Sequence, residues 1–107
     1  MNKEMYPKIS IVTAVFNNVD YIENCIKSVL NQNYPNLEYI VIDGGSTDGT
    51  VDIIEKYKNQ LAYFVSEKDK GQTDALNKGL AFATGDILGW LNADEEYCFG
   101  VLLKVGA

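Results

Sequence analysis

The chain has 107 residues, 47% of them hydrophobic, and carries nine Lys and Arg against fifteen Asp and Glu for a net charge of -6. That length and apolar content suit one globular domain or part of one, while the acidic balance disfavours nucleic acid or an anionic membrane surface as the main partner. His is absent, which removes the commonest general base and the commonest transition-metal ligand, so chemistry here must run on carboxylates, hydroxyls, amides and Lys.

No apolar run approaches the roughly 20 residues of a membrane span, and Met1 to Pro7 lacks the apolar stretch of a secretion signal, so the chain reads as cytoplasmic. Cys25 falls inside a helical pattern and Cys98 lies far from it in sequence. Neither a disulfide framework nor a zinc spacing results, and both read as small core residues.

Lys8 to Phe16 is a near-continuous apolar and β-branched run, as expected of a central strand covered on both faces. From Asp20 to Gln32 the residues Ile22, Cys25, Ile26, Val29 and Leu30 recur at helical spacing, with Asn17 or Asn18 expected to cap that helix. Leu37 to Ile42 predicts a second strand. It stops at Asp43 and passes into Gly44-Gly45-Ser46-Thr47-Asp48-Gly49, where Ser46, Thr47 and Asp48 are helix-cap types, and a helix over Thr50 to Tyr57 follows. Ala62 to Ser66 is a short third strand. After the polar loop Glu67 to Gly71, the residues Ala75, Leu76, Gly79, Leu80 and Ala83 mark the apolar face of a helix beginning near Gln72, closed by Thr84-Gly85-Asp86. Ile87 to Leu91 is a fourth strand leading to Asn92-Ala93-Asp94-Glu95-Glu96, and Gly100 to Val105 predicts another helix.

Strand and helix thus alternate four times, which argues a three-layer α/β domain with right-handed crossovers, a parallel sheet and strand order 3-2-1-4. That order brings Thr13 to Asn17, Asp43, Glu67 and Asn92 to Asp94 to one edge of the sheet, the crevice in which ligands of open α/β sheets bind. There is no Gly-x-Gly-x-x-Gly after the first strand and no Gly-Lys-Ser/Thr loop, so phosphates must be met another way. The hard oxygen donors of Asn92 to Glu95 suit Mg²⁺ or Mn²⁺, either of which can bridge a diphosphate. The other reading of that stretch is a turn with a charged helix start.

Five stretches in order, Thr13 to Asn17, Ser28 to Pro35, Val41 to Thr50, Lys70 to Gly79 and Gly85 to Asp94, make the chain resemble the family 2 inverting glycosyltransferases of the GT-A, Rossmann-like fold over nearly its whole length. The resemblance implies that residues 1–107 are the N-terminal, nucleotide-sugar-binding part of one such domain. It implies that Asp43, beside Gly44, hydrogen-bonds the base of a nucleotide, usually uracil, although Asp43 also reads as an Asx-turn acid closing the Gly44-Gly45 loop, and that Thr13, Ala14 and Phe16, with Asn17 after them, line the same pocket. Lys70, Gly71 and Asn77 match a segment that approaches the nucleotide, although Lys70 also reads as a solvated loop charge. Asp94 matches the last acid of the family's Asp-x-Asp motif and is the implied ligand of Mn²⁺ or Mg²⁺. Asn92 stands where that family often has Asp; it and Ala93 complete the implied site with one formal charge fewer. The implied reaction is attack of a saccharide or lipid-linked acceptor hydroxyl on a nucleotide-sugar donor, with inversion. The catalytic base falls beyond residue 107 in that family, so this stretch is expected to bind weakly and to transfer nothing by itself.

Trp90 reads as a packed strand residue rather than a sugar platform. An uncovered edge also invites a second copy of the chain, a homo-oligomer. Two other readings share these features: a non-catalytic nucleotide-sugar-binding module, and a signalling receiver domain. The latter would need paired acids after the first strand, where Val15-Phe16-Asn17 stands.

Overall fold

The computed structural model describes residues 6–93. Strand β1, Ile9–Val15, is buried at every position, as its unbroken apolar run predicts for a strand with a layer on each face. It is flanked on one side by β2, Leu37–Asp43, and on the other by β4, Ile87–Trp90, while β3, Tyr63–Ser66, pairs with the far side of β2. All pairings are parallel and the order is β3-β2-β1-β4, the order expected from the sequence.

Helix α1, Ile22–Leu30, and helix α2, Thr50–Glu55, cover one face. Ile22, Cys25, Ile26 and Val29 of α1 and Ile54 of α2 join Ile9, Ile11, Tyr39 and Val41 in the larger core cluster. Helix α3, Gln72–Phe82, covers the other face, where Ala75 packs with Val12, Ala14, Ile40 and Ile42. The alternate residues of each strand thus feed two separate cores, as the twofold side-chain period of a strand requires.

Several local expectations are corrected. Neither Asn17 nor Asn18 caps α1 with its side chain. Tyr21 holds the cap position, and the Asn18 carbonyl accepts the N–H groups of Tyr21 and Ile22 at 3.1 and 3.0 Å. The Asn17 side chain is engaged elsewhere, accepting the Thr47 N–H at 2.8 Å from a left-handed backbone, φ 47°. Helix α2 ends at Glu55, short of Tyr57, and a 3-10 turn over Lys58–Gln60 follows. On α3 the buried residues are Ala75 and Gly79 rather than the leucines, and Leu80 is exposed. Trp90, expected to pack, is 60% exposed beside Leu88 at 55%. Both point from the edge strand on the side that α3 covers only over β1 and β2. The helix expected at Gly100 to Val105 lies outside the described residues, as do Cys98, Asp94, Glu95 and Glu96.

The small residues of α3 set how closely it lies on the sheet. A methyl group at Gly79 would fall 2.3 Å from Val12 Cγ1 and 3.3 Å from Ile42 Cγ1. Gly to Ala in a helix ordinarily gains about 0.5–1 kcal/mol, but overpacking costs about 1–3 kcal/mol, so the clash wins. Gly79→Ala is expected to lower unfolding stability by about 1–2 kcal/mol in urea melts.

At the opposite end of the sheet, Glu38 binds three elements together. It accepts the Ser10 hydroxyl at 2.7 Å and the Thr84 N–H and hydroxyl at 2.8 and 2.9 Å, and it pairs with Lys8 at 3.3 Å. Burial pushes its carboxyl up, but the bonds from the Thr84 N–H, the Ser10 hydroxyl, the Thr84 hydroxyl and Lys8 together outweigh it and bring the pKa to about 2. The folded pKa lies below the unfolded value, so this stabilisation is complete above the ordinary Glu range and is lost as pH falls toward 2. Glu38→Gln is expected to cost about 1–3 kcal/mol at neutral pH and to flatten the acid limb of a stability-against-pH curve measured by chemical denaturation.

Candidate functional site

The chain connections run from β1 to β2 to β3 in one direction across the sheet, and α3 then carries the chain back past β1 to β4. Such a reversal leaves a crevice at the carboxyl ends of the strands, because the crossovers on either side lie on opposite faces and their loops diverge. A cleft of about 520 Å³ occupies that place.

Its walls come from four strand ends. Ala14, Val15 and Phe16 end β1, Gly44 follows β2, Lys68, Asp69 and Gly71 follow β3, and Asn92 and Ala93 follow β4. Gln72 and Ala75 of α3 close one side, and Gln72 Nε2 donates to Asn92 Oδ1, joining the start of α3 to the end of β4.

Of the residues picked from the sequence, Ala14, Phe16, Gly44, Gly71, Asn92 and Ala93 stand on this wall. Thr13 is fully buried beneath it and shares a 2.8 Å hydrogen bond with the Tyr39 hydroxyl. Asn17, Lys70 and Asn77 are exposed away from the cleft lining, and the Lys70 N–H donates to Asp74 Oδ2 at 3.0 Å. Asp94 lies outside the described residues.

Asp43 departs most from expectation. It has no exposed surface and is not part of the cleft wall. Oδ2 accepts the N–H groups of Gly45 and Ser46 at 3.0 and 2.8 Å and the Ser66 hydroxyl at 2.8 Å, and Oδ1 accepts the Ser46 hydroxyl at 2.5 Å. Gly45 takes φ +92°, a left-handed turn that glycine adopts without strain and that lets successive amides converge on one carboxylate. The carboxylate thus organises its own loop in the Asx-turn manner.

Ser46, Thr47 and Asp48, expected to cap α2, do not: Gly49 holds the cap position with no side-chain cap bond, and Ser46 and Asp48 tie loops together instead. Ser46 Oγ accepts the Asn17 N–H at 2.7 Å, tying the loop after β2 to the one after β1. Asp48 Oδ1 accepts the Thr50 hydroxyl and N–H at 2.6 and 3.0 Å, and its Oδ2 accepts the Val19 N–H at 3.1 Å. The Thr50 hydroxyl above all, with those backbone N–H groups, holds the Asp48 carboxyl below its ordinary range against the opposing effect of burial.

Lys68, Asp69 and Gln72 were not picked from the sequence as site residues, because loop charges and a first-turn glutamine look like solvated surface. Only the turn at Gly71, φ +118°, and the return of α3 bring them to the cleft. Cys25 also bears on the site from below, donating its thiol to the Asn92 carbonyl at 3.5 Å.

Residues 10–105 match the profile of "Glycosyl transferase family 2". The chain belongs to that family. An uncharacterized glycosyltransferase of Mycobacterium tuberculosis is 40% identical over 92 residues, 85% of this chain and 35% of the relative. The Bacillus subtilis protein TuaG, named for teichuronic acid biosynthesis, is 36% identical over 94 residues, 85% of this chain and 37% of its own length. This family 2 chain therefore spans about a third of the length of those relatives.

Among solved structures, S. aureus TarS residues 1–349 in complex with UDP-GlcNAc matches with TM-score 0.78 at 29% identity, over 92% of this chain and 29% of that one. The mannosyltransferase PcManGT from Pyrobaculum calidifontis, in complex with GDP-Man and Mn²⁺, matches with TM-score 0.79 at 31% identity, over 88% and 29%. The parallel sheet and its order are those of the GT-A, Rossmann-like neighbours.

Because the Asp43 carboxylate is the common acceptor of three residues' donors, its loss is expected to be felt in the fold. Asp43→Asn should cost about 1.5–3 kcal/mol, as for a charge-assisted bond left imperfectly replaced. Urea unfolding would measure the loss, and proteolysis would show new cleavage within residues 44–49.

Proposed function

We propose that this chain is the donor-binding part of a glycosyltransferase that moves a sugar from a nucleotide-sugar to an acceptor hydroxyl with inversion. The observation that carries the reading is the cleft at the chain reversal, whose wall joins the ends of β1 and β2 to Asn92 and Ala93 after β4. Support comes from the neighbours of the same fold that hold UDP-GlcNAc or GDP-Man with Mn²⁺.

Among the described residues no group of three or more Asp, Glu, Cys or His is disposed to hold a metal. The cleft offers an oxygen donor nonetheless, the Asn92 carboxamide after β4. Hard oxygen is what Mg²⁺ and Mn²⁺ take, and such ions are held by one or two carboxylates with substrate phosphates and water completing the shell. The donor chemistry therefore fits, with Asp94 as the first carboxylate ligand. When bound, the cation would offset charge on the departing diphosphate.

The chain's own groups do the remaining work. Asn92, held by Gln72, turns a fixed amide toward the cleft. Lys68, on the loop after β3, adds a cation to the wall in an otherwise acidic chain. The Ala14–Phe16 wall at the end of β1 supplies apolar surface for the nucleoside. A carboxylate must take the proton of the acceptor hydroxyl, a contribution worth roughly 10²–10⁴ in rate. We assign it to the part of such enzymes that this chain does not span, together with the choice of saccharide or lipid-linked acceptor. Placement in the cytoplasm, at the inner face of a membrane, belongs to the same reading. No helix among the described residues is long and apolar enough to cross a membrane.

The test is to supply nucleotide-sugars, acceptors and Mn²⁺ and to measure released diphosphate and glycosylated product. From a longer protein that carries this chain, turnover that needs both acceptor and cation is expected, with the anomeric configuration inverted in the product by NMR. Asp94→Asn is expected to keep the fold and lose the Mn²⁺-dependence of UDP binding; a variant whose UDP affinity still rises with Mn²⁺ would remove Asp94 from the metal site. Residues 1–107 alone are expected to give no acceptor-dependent product, and turnover near that of a longer protein would place a base within them.

A further inference from the structure

We propose that Asp69 is the carboxylate that reads the base of the donor nucleotide. The inference rests on the donor-binding reading above and makes it specific for bases with a ring N–H.

Asp69 is the single carboxylate among the described residues of the cleft wall. Asp43 cannot take the role without surrendering the bonds that shape its loop, since both of its oxygens already accept from Gly45, Ser46 or Ser66 and it has no exposed surface. Asp69 is half-buried, and its Oδ1 accepts the Gly71 N–H at 2.9 Å. That bond fixes the side chain. Oδ2 accepts no hydrogen bond from the described residues and remains available to a ligand.

Gly44 is the counterpart of this placement. A Cβ at residue 44 would lie 2.9 Å from Asp69 Oδ2, 3.0 Å from Oδ1 and 3.1 Å from Cγ. The Asp69 carboxylate therefore fills the volume that a side chain at the end of β2 would need. A glycine there and an acid arriving from the β3–α3 loop are two halves of one arrangement.

The strand order then decides which part of a nucleotide Asp69 meets. Asp69 and Gly44 stand on the β2 side of β1, whereas Asn92 stands on the β4 side. A diphosphate is repelled by a carboxylate and favoured near the amide of Asn92 and a bound cation, so a nucleotide lying across β1 turns its base toward Asp69. An ionised carboxylate only accepts hydrogen bonds. Uracil offers it N3–H, and guanine offers N1–H with an exocyclic N–H beside it. Cytosine and adenine can donate only from the exocyclic amine, and the lone pair at the ring nitrogen beside it faces the carboxylate unfavourably, so they make the weaker contact. The ligand class is therefore nucleoside diphosphates of uracil or guanine, against those of cytosine or adenine.

The experiment is titration calorimetry of the protein with UDP, GDP, CDP and ADP in Mn²⁺, with Asp69→Asn and Gly44→Ala as variants and thermal melts as the check on folding. The expected result is that UDP or GDP binds roughly 10- to 100-fold tighter than CDP and ADP, the range of one charge-assisted hydrogen bond made or left unmade. Asp69→Asn can offer either an acceptor or a donor, and it is expected to bring UDP and CDP to within about threefold of each other with an unchanged melt. Gly44→Ala pushes the carboxylate aside without removing it and is expected to shift the preference the same way, so the idea stays testable should Asp69→Asn fail to fold. Unaltered base preference in folded variants would overturn the role of Asp69 while leaving the donor site standing. A wild-type protein that binds none of the four diphosphates would overturn the donor-binding reading and this inference with it.

Discussion

The geometry of the cleft depends on one buried carboxylate. Asp43 has no exposed surface, so the cost of burying its carboxylate is met by donors of the chain, which it gathers from Gly45, Ser46 and Ser66. Ser66 ends β3, and Ser46 in turn accepts the backbone of Asn17 after β1. A single charge thereby registers the ends of three adjacent strands against one another. Parallel pairing alone would not do so, because ladder bonds fix the strands and say nothing of the loops beyond them.

The second constraint is the close seating of α3. Gly79 lets the helix sit against Val12 and Ile42, and the Gln72–Asn92 bond at its start closes the gap toward β4. The helix α3 carries the chain back across β1, and Lys68 and Asp69, on the loop that leads into it, line the cleft wall. An acidic chain with a net charge of -6 thus has at its cleft one lysine and one aspartate, side by side on the loop after β3, with amides beside them.

The architecture was legible in the sequence because the strands differ from the helices in period. The unbroken apolar run of β1 and the i, i+3, i+4 spacing of α1 leave little freedom, and four alternations with right-handed crossovers leave few orders for the sheet. The site was legible only in part. Strand-end positions such as Ala14, Phe16, Gly44 and Asn92 follow from topology, since every parallel strand delivers its end to the same edge. Which way a side chain turns there does not follow. Asp43 turns inward because Gly45 and Ser46 bring amides to it, and Asp69 turns to the cleft because Gly44 has vacated the space, relations between loops distant in sequence. Caps failed for a similar reason: Asn17 binds Thr47, a partner 30 positions away, in preference to the helix beside it.

Trp90 and Leu88 mark where the rule of apolar strands reaches its limit. A strand buries both faces only if layers cover both, and β4 is an edge that α3 leaves uncovered on one side. The two side chains share the face of Ser10 and Val12, so whatever covers them would extend the layer of α3 outward past β4 rather than pack against α1 and α2. Asn92 and Ala93 follow directly on that strand. Any element seated on Trp90 therefore stands within a few residues of the cleft, on its β4 side, where the proposed reading puts the diphosphate and the sugar. The base, on the β2 side, stays within the reach of the residues described above. On the donor-binding reading proposed above, the strand order divides the labour across β1: the nucleoside would be met by the first three strands, and the transferred sugar by what is built outward from the fourth.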